Sequence, residues 1–167
     1  QRSQIPVQGW CHGLPAVQLR EQSALVDCVR LIDSDLIFPR SVIAWRDGVL
    51  LVDKGSTLNE PALGRGAGRV FHYRRIGDGF ARELLLAGLD NPSGLSRGRS
   101  PSDQEQIYLS TPQSIYRFTP AADDPAATLT RVVAGLPTRG WHYLTAVHAT
   151  TDALYVTVPS ATDHCEA

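Results

Sequence analysis

The sequence predicts an all-β fold, a β-propeller built from four-stranded blades of about 50 residues each. A pattern of short apolar strands and tight turns occurs three times in the 167-residue chain. Matching positions of the three copies carry Arg40, Ser93 and His142, which are 53 and 49 residues apart. Regular repetition at this length is typical of propellers, in which each repeat forms one blade. We therefore expect successive blades near residues 36–87, 89–134 and 136–167.

The first copy shows the predicted blade most completely. Asp47-Gly48 separates its first two apolar runs, and this dipeptide favours the positive φ angles of hairpin turns. A polar, Gly-rich loop follows, and the run after it alternates between apolar and polar residues as a half-buried strand does. The four predicted strands are residues 41–44, 49–52, 69–74 and 80–87.

The second and third copies repeat this plan. In the second copy, Gly94-Leu95 is the inner strand and residues 97–104 form a polar, exposed loop. Its other strands are predicted at residues 107–110, 114–118 and 127–134. The third copy has only two strands, so the chain supplies about two and a half blades, whereas a closed propeller has roughly four to eight. We expect the remaining blades from the same polypeptide or from another subunit. A compact β-sandwich that folds alone is the alternative.

The first 33 residues form a lead-in segment in which no repeat is present, and residues 34–167 form the partial propeller. Residues 17–25 fit either a short helix or an edge strand. Cys11 and Cys28 lie in this segment, and in an exported protein they would form a disulfide. Two reduced thiols in a cytosolic protein are the alternative. Cys165 is left over, which indicates a cysteine partner outside the chain or a free thiol.

The composition narrows the class of protein. Apolar residues make up 43% and charged residues 20%, which is typical of a soluble globular protein. The net charge of -1 makes nucleic acid an unexpected partner. No apolar run is long enough to cross a bilayer. Because the chain contains no methionine, we expect that Gln1 is not a translational start, and that either a leader was removed or the chain was excised from a longer one. A removed leader would fit a periplasmic or secreted bacterial protein.

Repeat geometry predicts where a functional site lies. The inner strands of a propeller begin near one mouth of the central channel, so Arg40, Ser93 and His142 are expected to converge there. Trp141 either lines the same mouth or packs inside a blade. The alternative is that these residues only begin strands and face solvent. The Cys-His pairs at residues 11–12 and 164–165 lack the spacing of known zinc sites, so we predict no metal site within the chain.

Several segments of the chain resemble one known family. They are residues 38–40 with 47–52, residues 88–95 with 115–118, residues 133–137, and Gly140-Trp141-His142 leading to Leu154-Tyr155-Val156 and Cys165-Glu166. These segments are similar to the amino-terminal half of the bacterial glucose/sorbosone dehydrogenases, which are soluble six-bladed quinoprotein propellers.

The resemblance implies an activity. Members of that family oxidise the hydroxyl of an aldose or related sugar with pyrroloquinoline quinone (PQQ), and a histidine that His142 matches by motif removes the hydroxyl proton. An imidazole with a pKa near neutrality suits that role. Calcium is a possible second cofactor, with its ligands expected outside this chain. The alternative function is a non-catalytic propeller module that binds a protein or carbohydrate partner.

Overall fold

The computed structural model describes residues 16–18, 26–28, 32–56, 64–77, 79–99, 103–137 and 144–160. The chain divides into two compact units, Gln1–Asp35 and Leu36–Ala167. In the first unit, β1 (Ala16–Gln18) pairs antiparallel with β2 (Val26–Cys28). Cys11, Cys165 and the side chain of Cys28 lie outside what is described, so the disulfide stays a prediction.

The second unit is built from antiparallel sheets, and its strands pair in chain order. The first sheet contains β3 (Pro39–Trp45), β4 (Gly48–Asp53), β5 (Gly68–Ile76) and β6 (Gly79–Leu89). The second contains β7 (Gly94–Arg99), β8 (Glu105–Ser110), β9 (Ser114–Phe118) and β10 (Thr130–Ala134). A hairpin of β11 (Val147–Ala149) and β12 (Leu154–Val156) follows.

These strands confirm the predicted all-β class. The described residues contain one short 3-10 helix, Ala126–Thr128, and no α-helix. That helix occupies the start of the run that the sequence predicted as strand 127–134. In the same described ranges, no helix is long and apolar enough to cross a membrane.

The main core lies between the first two sheets. Alternate side chains of β4 and β8 are fully buried, and the two strands share one burial pattern along their six residues. Each large apolar side chain buried in this way contributes about 1.5–3 kcal/mol. The core cluster consists of Trp45, Leu50, Val52, Val70, Leu85, Leu86, Leu89, Leu95, Ile107, Leu109 and Phe118.

The first hairpin forms where the sequence predicted it, but for a different reason. Trp45 pairs with Gly48, and in the two-residue loop between them the positive φ belongs to Arg46, at 48°. The Asp-Gly dipeptide therefore does not supply the turn's left-handed residue. Gly48 is needed because a Cβ atom there would collide with the backbone carbonyl of Tyr73 on β5.

The second sheet also departs from the prediction at its first strand. β7 continues to Arg99, through part of the predicted loop at residues 97–104. Arg99 pairs with Glu105 across the ladder, and the Arg97 guanidinium lies 2.6 Å from the Glu105 carboxylate. Cross-strand contacts of this kind stabilise the extension although the residues are polar.

The first strands of the three sheets lie side by side. The backbone N–H of Leu95 on β7 donates to Ser41 Oγ on β3 at 3.2 Å. In the same way, the N–H of Ala149 on β11 donates to Ser96 Oγ on β7 at 2.9 Å. At both junctions, a serine on the first strand of one sheet thus accepts a hydrogen bond from the first strand of the next sheet.

Candidate functional site

A band of buried polar side chains lies where the first, or inner, strands β3, β7 and β11 begin and where the second strands β4, β8 and β12 end. Each second strand ends at or beside a polar residue: Asp53 is the last residue of β4, Ser110 is the last residue of β8, and the exposed Thr157 follows β12. Asp53 and Ser110 are completely buried. Buried polar groups require hydrogen-bond partners, so this band determines how the segments that lead into β3, β7 and β11 are held.

Asp53 anchors the segment leading into β3. Its carboxylate accepts hydrogen bonds from the backbone N–H groups of Phe38 at 2.8 Å, Ile37 at 3.2 Å and Gly55 at 3.2 Å. It also forms an ion pair with Arg69 at 2.6 Å. Burial alone raises the pKa of the Asp53 carboxyl, but these hydrogen bonds outweigh it and the pKa lies below its ordinary value.

Lys54 places a second charge beside Asp53. Its side chain is fully buried, and its ammonium group donates to Ser56 Oγ at 3.0 Å and lies 5.5 Å from the centre of the Phe38 ring. Burial, and then repulsion from the nearby Arg40, lower the pKa of the Lys54 ammonium. Ser56 Oγ in turn donates to the Asn91 side-chain oxygen at 3.3 Å, which links β4 to the segment before β7.

A neutral network holds the segment leading into β11. The Ser93 and Ser110 hydroxyls both donate to the backbone carbonyl of Thr145, the latter at 2.7 Å. The Thr145 hydroxyl donates to the Thr111 carbonyl at 2.8 Å. All four side chains are buried, with 8% or less of their surface exposed.

The proton count decides which contacts of this network are hydrogen bonds. Each serine hydroxyl has one proton. When Ser93 and Ser110 both donate to the Thr145 carbonyl, neither has a proton left for their mutual contact at 3.2 Å. No His or Asp side chain hydrogen-bonds to Ser93 in the described part of the chain, so the contacts of this serine are those of a positioning residue and not of an activated nucleophile.

The predicted site residues fall in three different settings. Arg40 is exposed at an irregularity of the β3–β4 register, with its guanidinium 5.4 Å from the centre of the Phe38 ring. Ser93 is buried in the neutral network. Trp141 and His142 lie outside the described residues, as do the residues immediately after Ser56. Arg40 lies on β3 and Ser93 directly precedes β7, and these two strands are adjacent because Ser41 contacts Leu95.

Sequence reasoning did not identify Lys54, Ser110 or the role of Thr145. A signal for this band is visible in the sequence: a polar residue follows the same apolar alternation three times, in Leu-Leu-Val-Asp, Ile-Tyr-Leu-Ser and Leu-Tyr-Val-Thr. Its meaning depends on pairing between distant segments. Thr145 and Ser110, for instance, are 35 residues apart in the sequence.

A cleft of about 310 Å³ lies at the opposite end of the inner strands. Its charged lining is Arg97, Arg99 and Glu105, and the turn between β11 and β12 contributes Thr150 and Thr151. Arg97 and Glu105 are held together by two contacts of 3.1 and 2.6 Å from the guanidinium to one carboxylate oxygen. The cleft therefore presents charged groups and hydroxyl groups to solvent.

The described ranges contain no group of three or more His, Cys, Asp or Glu residues that could hold a metal ion. In comparisons with known proteins, no family model, no curated protein and no solved structure matches the chain.

Proposed function

We propose that the two four-stranded sheets and the β11–β12 hairpin are successive blades of a β-propeller. The support is the order of strands within each sheet and the contact between consecutive first strands. The repeated serine-to-backbone hydrogen bond, at Ser41 with Leu95 and at Ser96 with Ala149, gives the same junction twice. Equal junctions between equal units are what a propeller requires.

We further propose that the assembled propeller is a quinoprotein oxidoreductase that oxidises a sugar or a related alcohol. One observation supports this most: the Thr145 carbonyl is clamped by Ser93 and Ser110 at the end where the inner strands begin. His142 precedes Thr145 by three residues, and an extended chain of that length spans at most about 11 Å. The neutral network thus anchors Thr145, three residues after the proposed general base.

The described residues fit the proposed cofactor in part. PQQ is a polycarboxylate, and Arg40 is an exposed cation beside the inner strand. Lys54 is buried against Ser56 and is not available to a ligand. The described residues provide no calcium ligand cluster, so no step is assigned to calcium.

PQQ, when bound, would supply the acceptor for the hydride that leaves the substrate carbon. His142 accepts the proton of the substrate hydroxyl, so that the alcohol loses one hydride and one proton and becomes a carbonyl. An imidazole base of this kind contributes about 10²–10⁴-fold to the rate. Ser93 and Thr145 act through the backbone and position the segment.

Reconstitution with PQQ and calcium tests this function. We expect dye reduction with aldoses by the complete assembly, and a loss of about 10²-fold or more in His142→Asn. The matched control is His148→Asn, because His148 is exposed on β11 and pairs only with Tyr155 across the hairpin. Equal activity of the two variants would remove His142 from the role of base. Absence of both turnover and cofactor retention would refute the quinoprotein proposal.

The cleft at Arg97 and Glu105 favours a second candidate, a propeller module that binds a carbohydrate without catalysis. The exposed guanidinium–carboxylate pair beside two threonines offers donors and acceptors for sugar hydroxyls. Glu105→Gln would separate the candidates, since it alters this cleft and leaves the inner-strand end unchanged. Loss of sugar binding with no change in dye reduction would assign binding to the cleft.

A further inference from the structure

Among the described residues, one edge of β12 has no hydrogen-bonded strand, and β8 of the same chain shows which strand pairs with an edge of similar composition. β4 and β8, the second strands of the first two sheets, have hydrogen-bonded neighbours on both sides. β12 is the second strand of the third copy of the repeat, and among the described residues only β11 pairs with it. This inference rests on the blade arrangement proposed above.

β8 and β12 are chemically alike. β8 contains Ile107-Tyr108-Leu109-Ser110, and the corresponding residues of the third unit are Leu154-Tyr155-Val156-Thr157. Both sets keep the order aliphatic, tyrosine, aliphatic, hydroxyl. Ile107 and Leu109 are fully buried, whereas Leu154 and Val156 are half-buried and Tyr155 is 62% exposed. The covering that completes β8 is thus missing from β12 in the described part of the chain.

The hydrogen-bond phase of β12 shows which backbone groups the edge presents. The Thr157 N–H donates to the Ala146 carbonyl, and the Thr150 N–H donates to the Ala153 carbonyl. Because hydrogen-bonded pairs alternate along an antiparallel ladder, the N–H and C=O groups of Leu154 and Val156 point away from β11.

β8 uses its corresponding groups to bind β9. The Thr111 N–H donates to the Ser114 carbonyl, so by the same alternation Leu109 and Ile107 form the hydrogen-bonded pairs with Tyr116 and Phe118. The edge of β12 that faces away from β11 therefore matches the edge of β8 that faces β9. The two edges carry similar side chains, and corresponding residues direct their backbone N–H and C=O groups outward.

The edges of the two complete sheets differ from that of β12. The outermost strand β6 carries Arg82 and Glu83, and β10 carries Arg131, all of them exposed. Charged residues on edge strands oppose the addition of further strands. Residues 154–158 contain no charged side chain. The edge of β12 therefore carries no charge that would oppose the addition of another strand.

We propose that β12 binds an antiparallel β9-like strand, with aromatic residues opposite Leu154 and Val156 and a basic residue opposite Tyr155. The basic position follows from the pairing of Tyr108 with Arg117 in the second sheet. Backbone hydrogen bonds supply the affinity and the aromatic positions supply the specificity, as in other cases of strand addition.

A tethered strand tests the proposal. The full chain is extended after Ala167 by a flexible Gly/Ser linker of about twelve residues and a copy of residues 112–120, which raises the local strand concentration to about the millimolar range. The matched control carries the same extension with Tyr116→Pro in the copy, because proline removes a ladder donor. Hydrogen exchange of the Leu154 and Val156 amides is measured by NMR, and the Ile107 and Leu109 amides report that the second sheet is folded.

We expect exchange at Leu154 and Val156 to slow about tenfold or more in the tethered chain and to stay fast in the proline control. Unchanged exchange at both amides, with Ile107 and Leu109 protected, would overturn the proposal. Protection in the unextended chain that grows with protein concentration would also overturn it, since the occupant would then be a second copy. No quinone enters this measurement, so its failure is separate from failure of the dye-reduction assay.

Discussion

The two polar networks beside the inner strands occupy the same place in the repeat, but one is charged and the other is neutral. In the first four-stranded sheet, Asp53 is the last residue of β4, and its carboxylate binds Arg69 and two backbone N–H groups before β3. In the second four-stranded sheet, Ser110 is the last residue of β8, and its hydroxyl binds the Thr145 carbonyl before β11. Both side chains are completely buried.

This difference shows that the position requires a hydrogen-bonding group and not a particular charge. A buried carboxylate needs a counter-ion and several donors, because its desolvation is costly. A buried hydroxyl needs only one acceptor. The charged network is therefore more sensitive to the loss of one member, and its stability depends on pH.

Replacement of the closing residue gives the largest expected difference between the networks. Asp53→Ala leaves Arg69 without its buried partner and the Phe38 and Ile37 amides without an acceptor, so we expect a loss of about 3 kcal/mol in the free energy of unfolding. Ser110→Ala removes one of two donors to the Thr145 carbonyl and should cost about 1 kcal/mol. Urea denaturation of both variants measures this, and equal losses would contradict the comparison.

Acid titration separates the networks next. The pKa of Asp53 in the folded chain lies below its unfolded value of about 3.9, so its contribution to stability is complete above that pH. The contribution is lost as the pH falls through the folded-state pKa. Asp53→Asn should therefore flatten the loss of stability below about pH 4. Ser110→Ala should show the same dependence of the free energy of unfolding on pH as the unchanged chain. If Asp53→Asn also shows that dependence, Asp53 is not its source.

The smallest expected effect tests the neutral network alone. Thr145→Val keeps the shape of the side chain and removes its hydrogen bond to the Thr111 carbonyl, which should cost about 1 kcal/mol. Thr151→Val is the matched control, because Thr151 is exposed in the turn between β11 and β12 and we expect a change within about 0.5 kcal/mol there. Thermal unfolding followed by circular dichroism compares the two. An equal or larger loss in Thr151→Val would show that the buried contact does not stabilise the segment before β11.

The strands were largely predictable, because apolar alternation is a local signal. The runs at residues 41–44, 49–52, 69–74 and 80–87 all lie within observed strands, and residues 114–118 match β9 to the residue. The extension of β7 to Arg99 was not predictable in this way, since it depends on pairing with Glu105. The start of the run at 127–134 was wrong because Asp124 caps a short 3-10 turn there, accepting hydrogen bonds from Ala126 and Ala127.

The sequence by itself determined the all-β class, the repeat and the positions of most strands, because these depend on side-chain alternation and turn residues within short windows. Only the tertiary structure decided that Ser93 is a buried positioning residue, that Arg40 lies at a strand irregularity, and that Lys54 is enclosed. Those properties arise from contacts between residues that are separated in the sequence, such as Pro39 with Asp53, Lys54 with Phe38 and Ser110 with Thr145. Local pattern contains no information about such partners, so burial and hydrogen bonding at the polar band follow from the packing of one sheet against the next.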